Sequence, residues 1–131
     1  MNKIFLAIAF LGLTLTACHK NDDSIPYVIN FEVKNVSGGT DLTAAVNKEM
    51  TFDVTFTHAS KSTIHNIKVV VLDATGKEIK VLEEKHAHVT GTYNTKLKYS
   101  ATAAGSYQLK TTATDDNEKQ PNEKTFDFKA N

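Results

Sequence analysis

Along this chain apolar side chains return at every second position, the period of a strand with one buried face rather than of a helix. In residues 27–35, YVINFEVKN, Tyr27, Ile29, Phe31 and Val33 fall on one side and Asn30, Glu32 and Lys34 on the other. Residues 51–59, TFDVTFTHA, set Phe52, Val54 and Phe56 against Thr51, Asp53, Thr55 and Thr57, with His58 continuing the apolar phase. IKVVVLD, at 67–73, is almost continuously apolar, as expected of a strand covered on both faces. DATGKE then supplies a turn in which Gly76 can take a positive φ, and EIKVLE runs back, so residues 67–82 read as a hairpin. TYNTKLKYSA places Tyr93, Leu97 and Tyr99 on one face, and SYQLKTTAT and KTFDFKA complete the set around the polar loop DDNEKQPNE. The only hint of helix is DLTAAVNKE, with Asp41 as a cap, which is too short for more than one turn. About seven short antiparallel strands separated by turns predict an all-β fold, a sandwich or a barrel.

Composition narrows what such a fold is for. With 131 residues, 40% of them hydrophobic and 23% charged, the chain is sized for one core plus short appendages. All 15 basic residues are lysine, balanced by 15 acidic ones. Without arginine there is no bidentate fork for phosphate or guanine, and without net positive charge nothing draws a polyanion. Nucleic acid is not an expected partner.

The first residues have a different character. Lys3 precedes an apolar run from Ile4 to Leu15, followed by small residues, the layout of a secretory signal. The run is shorter than the roughly 20 residues that span a bilayer. Leu15-Thr16-Ala17-Cys18 resembles the lipobox of bacterial lipoproteins. That resemblance implies cleavage before Cys18, a diacylglyceryl group on its thiol and an acylated amino terminus, with chains such as palmitate. Residues 1–17 are then a cleaved signal, 18–25 a lipidated tether and 26–131 the folded domain. Two or three acyl chains make a lasting membrane anchor where one does not. Cys18 is the sole cysteine, so packing rather than a disulfide must stabilise the domain outside the cytoplasm. Lys20-Asn21-Asp22-Asp23 resembles the export tag of Bacteroidota surface lipoproteins, and His19 is not the aspartate that retains many enterobacterial lipoproteins at the inner membrane. The implied address is the outer membrane, with the cell surface preferred over the periplasmic face.

A second resemblance concerns the fold. Gly105, Tyr107, Leu109, Ala113 and Asp115 are similar to the G-x-Y-x-L-x-x-x-A-x-D of the penultimate strand in immunoglobulin-like modules of secreted bacterial proteins. It implies an immunoglobulin-like β-sandwich in which Tyr107 hydrogen-bonds back to the chain at a corner. The whole resembles uncharacterised lipoprotein families of Bacteroidota with such domains.

Catalytic motifs are lacking: the sequence contains no G-x-S-x-G, H-E-x-x-H, G-x-x-x-x-G-K or C-x-x-C. Glu83 and Glu84 are adjacent, so they point to opposite faces of a strand and cannot act as a pair. Asp115, Asp116 and Asn117 offer hard oxygen donors of the kind Ca²⁺ takes, without the glycine and spaced glutamate of an EF-hand. In EEKHAHVTG, His86 and His88 are two apart, which on an extended strand puts both imidazoles on one face with Cα atoms about 6.5 Å apart. A third ligand from a neighbouring strand, His58 or His65, would complete a site for Zn²⁺, Cu²⁺ or haem iron. The leading expectation is a lipid-anchored, non-enzymatic module that binds an envelope protein, glycan or other envelope component and needs no cofactor. The alternative is a lipoprotein that captures metal or haem for a nutrient-uptake system through His86 and His88.

Overall fold

The computed structural model describes residues 28–116 and 121–131; Cys18 and its lipobox, the tether, Tyr27 and Asn117 lie outside them. Among the described residues eight strands run in order: β1 (Ile29–Asn35), β2 (Thr43–Ala44), β3 (Met50–His58), β4 (Thr63–Leu72), β5 (Glu78–Thr90), β6 (Thr92–Tyr99), β7 (Gly105–Asp115) and β8 (Asn122–Ala130). They form two sheets, one ordered β1-β3-β6 and the other β2-β8-β7-β4-β5. All pairings are antiparallel except the short β2, which lies parallel to the carboxy-terminal β8. The segment with the hint of a helical turn therefore contributes an edge strand. The Leu42 and Ala44 carbonyls accept from the Lys129 and Asn131 N–H groups, ladder bonds that one isolated helical turn could not match.

The apolar alternation marks the faces that meet. Phe52, Val54 and Phe56 of β3 are fully buried against Val69, Val71 and Leu109 of the other sheet's strands, with Ile29, Phe31 and Val33 closing one side. Phe52 meets Phe128 edge to face across the two sheets, with ring centroids 5.1 Å apart, and Phe31 meets Phe56 at 5.4 Å. Such contacts add about 0.5–1.5 kcal/mol each beyond the area they bury. The hairpin turn falls where expected: Gly76 takes φ 84°, and Asp73 Oδ1 accepts from the backbone of Thr75 and Lys77 and from the Thr75 hydroxyl.

At the start of β7, the Tyr107 hydroxyl donates to the Ala103 carbonyl at 2.8 Å, and its ring stacks on Phe128. This ties the corner leading into β7 to the core by a tyrosine at the position where the immunoglobulin-like pattern placed one. A second corner lies between β5 and β6, where the chain passes from one sheet to the other through Gly91. Its φ of 80° suits glycine, its carbonyl accepts from the His58 N–H, and its own N–H donates to the Ser62 carbonyl. Two of the crossings between sheets, β3 to β4 and β5 to β6, are thus bonded to each other.

Candidate metal centre

Beside that corner the register of the five-stranded sheet slips twice. Between the positions where Ile64 and Ile67 of β4 pair, β7 advances from Asp115 to Ala113, β4 from Ile64 to Ile67, and β5 from Val89 to Lys85. Each strand toward the edge therefore carries one residue more than its inner neighbour, and the sheet fans outward through two adjacent bulges. The extra residue in β4 is what exposes His65. Strict alternation from Ile67, Val69 and Val71 would send its side chain into the core; instead Ile64 is buried and His65 lies half-buried on the outer face beside Asn66. The extra residue in β5 falls at Ala87 and His88, and His88 adopts φ 46°, which β-strand residues avoid.

The consequence is a cluster of three imidazoles. Ring centroids are 3.9 Å apart for His65 and His86, 4.4 Å for His65 and His88, and 4.1 Å for His86 and His88, each pair edge to face. One ligand nitrogen from each ring lies within 4.8 Å of the others, with His86 and His88 exposed. Nitrogens sharing one tetrahedral Zn²⁺ at about 2.0–2.1 Å stand about 3.4 Å apart. The three rings are therefore gathered to within about 1.4 Å of the nitrogen spacing of a coordinating triad, an adjustment within reach of side-chain rotation. The strand is not regularly extended here: β5 bulges at Ala87 and His88, and the His86 and His88 ring centroids lie 4.1 Å apart.

The cation adjacent in sequence, Lys85, is engaged elsewhere. Lys85, next to His86, points to the other face, where its ammonium lies 3.5 Å from Glu83 and 4.2 Å over the Tyr93 ring. Its pKa is raised, first through Tyr93 and then through Glu83, so that cation is held away from the imidazoles. Tyr93 in turn donates to Glu83 at 2.6 Å, linking the two sheets. Glu83 and Glu84 do point apart, as their adjacency requires.

His58 has a different task from its neighbours. It is buried, and its Nδ1 accepts from the N–H groups of Ser60 and Ser62, both at 3.3 Å, with the Ser60 hydroxyl at 3.1 Å. Accepting at Nδ1 puts the ring proton on Nε2, which faces Asp115 at 3.8 Å. Of the two candidate third ligands, His65 is brought to His86 and His88, while His58 braces the crossing from β3 to β4. Asp115 faces His58 and pairs with Ile64 at the end of β7, and Asp116 follows it in a turn.

No protein-family model matches the chain, and no curated protein does. Similarity to solved structures is clear at the level of fold. A CARDB domain from Pyrococcus furiosus, crystallised in complex with di-metal ions, superposes with a TM-score of 0.56 at 18% identity, covering 79% of this chain and 87% of that one. A PKD domain of an M14-like peptidase from a Thermoplasmatales archaeon gives 0.52 at 12% identity, covering 76% and 91%. Two packed sheets, the tyrosine corner and these neighbours together define the fold as an immunoglobulin-like β-sandwich.

Proposed function

We propose that this protein is a lipid-anchored, non-catalytic module of the cell envelope that holds a late first-row divalent metal ion, Zn²⁺ or Cu²⁺, at His65, His86 and His88. The observation that carries this reading is the convergence of three imidazoles from two strands, with their ligand nitrogens within 4.8 Å of one another. Nitrogen donors suit these ions, whereas Ca²⁺ and Mg²⁺ prefer oxygen. A bare ion fits better than haem, because porphyrin leaves iron only its two opposite axial positions and three clustered rings cannot all use them. The exposure of His86 and His88 on an outer face favours capture over catalysis, which works best in an enclosed, water-excluding site. The anchor rests on Leu15-Thr16-Ala17-Cys18, and the outer-membrane, surface-facing address on the charged residues that follow.

The module's docking to an envelope protein or glycan is a second reading, favoured by β5. It is an edge strand of 13 residues with Ile79 and Val81 exposed, a surface that can accept a further strand. Titration calorimetry of the purified protein with Zn²⁺ and Cu²⁺ tests the metal reading. Micromolar or tighter binding that disappears in the His86→Ala/His88→Ala variant supports it, and no heat at 100 μM ion defeats it. Incorporation of labelled palmitate that is lost in Cys18→Ala supports the anchor, and label retained in that variant removes it.

A further inference from the structure

Resting on the metal reading, this inference concerns how one of the three rings is aimed. Asn66 stands directly opposite His86 in the β4–β5 register, and its side-chain Oδ1 lies 2.7 Å from His86 Nδ1. A carboxamide oxygen only accepts hydrogen bonds, so a bond of this length places the ring proton on Nδ1. Nε2 then carries the lone pair. We propose that Asn66 is a positioning residue: it fixes His86 as the Nδ1–H tautomer and so makes Nε2 the atom that binds metal. An unrestrained imidazole in water favours the opposite tautomer, with its proton on Nε2, so the bond removes a competing state.

The fold holds Asn66 for this task. The β4 bulge sets it beside His65 on the outer face, and its backbone N–H donates to the Thr114 hydroxyl at 3.2 Å. Both the second ligand and the group that orients the first therefore come from one bulge. A partner of this kind, bonded to the non-ligating nitrogen of a metal-bound histidine, fixes ring orientation and raises ligand basicity, and its loss typically costs 10–100-fold in affinity.

Two measurements test the assignment. In long-range proton–nitrogen NMR spectra of the metal-free protein, with the rings neutral, His86 should show a protonated Nδ1 and a bare Nε2. Asn66→Leu should shift it toward the Nε2–H form, and Asn66→Asp, which keeps an acceptor, should not. By calorimetry, Asn66→Leu should then weaken Zn²⁺ binding by about 10–100-fold, with Asn66→Asp remaining near the parent or tighter. A bare Nδ1 in the parent protein, as would follow if the amide nitrogen faced the ring, overturns the proposal. So does a Zn²⁺ affinity unchanged in Asn66→Leu. If the parent binds no Zn²⁺, the metal reading fails and the ligating role falls with it, while the spectra still decide whether Asn66 sets the tautomer.

Discussion

The imidazoles of His65 and His86 lie 3.9 Å apart between centroids, across two strands whose register slips at that point. Neither ring belongs to the other's local sequence, so their approach is a product of sheet pairing. If this contact is half of a metal site, His65→Ala should lower Zn²⁺ or Cu²⁺ affinity at least as much as loss of an outer-shell partner does, that is, by about 100-fold or more. Calorimetry against the parent protein checks this. Equal affinity in the variant would remove His65 from the ligand set.

His58 should behave in the opposite way. Truncation to alanine deprives the Ser60 and Ser62 N–H groups of their acceptor and leaves a hole beneath the β3–β4 crossing. Orphaned donors and a cavity together should cost about 2–4 kcal/mol in urea denaturation. Metal affinity at temperatures where the variant remains folded should be unchanged. A stable His58→Ala protein with weakened metal binding would reverse the roles assigned to His58 and His65.

Most of the sandwich was legible in the sequence because strands such as β1 and β3 obey the two-residue period. Ile29, Phe31 and Val33, and Phe52, Val54 and Phe56, point inward as their spacing requires. The candidate site was legible only in half. His86 and His88 announce themselves by proximity in the chain, but His65 stands there only as one of two possible third ligands beside His58, and its phase with Ile67, Val69 and Val71 is that of a core position. What turns it outward is an extra residue measured against β7, and a bulge is a relation between two strands that one strand's pattern does not contain. Thr43 and Ala44 were missed for a related reason. Two residues carry no period, and their strand exists only because β8 is there to receive it.

Tyr107 should report on the corner it closes. Tyr107→Phe keeps the ring stacked on Phe128 and removes only the bond to the Ala103 carbonyl. The expected loss is about 0.5–1.5 kcal/mol, the usual net worth of one hydrogen bond, read as a shift in urea midpoint at constant slope. No shift would show that the ring alone secures the corner.

Asp73 gives the hairpin an acid-sensitive link. The Thr75 hydroxyl first, then the Lys77 and Thr75 backbone N–H groups, stabilise its carboxylate and hold its pKa below the ordinary 3.8, with slight burial opposing them. A carboxylate whose pKa is lowered by folding contributes stability that is fully present above its unfolded value and lost as pH falls through the folded one. The contribution should therefore fade below about pH 4. Asp73→Asn has no charge to lose, so its melting temperature should drop less than the parent's between pH 5 and pH 2.5. Parallel drops would show that the turn does not couple to this proton.

His88 sets function against fold. Its φ of 46° lies in the left-handed region, which costs a residue with a side chain about 1 kcal/mol or more, whereas glycine adopts it freely. A strain of this kind persists where the neighbouring pairing imposes it, here the bulge opposite His65. Glycine also gains more freedom when unfolded, which offsets part of the relief. His88→Gly should therefore leave stability equal to the parent's or higher by up to about 1 kcal/mol. His88→Val, with a branched side chain poorly suited to that conformation, should lower it by about 1–2 kcal/mol. Both variants should lose metal affinity, since both lack the imidazole. Urea denaturation beside calorimetry separates the two effects. A glycine variant clearly less stable than the valine one would mean that the His88 backbone is not strained and that its ring contributes to the fold rather than to a ligand.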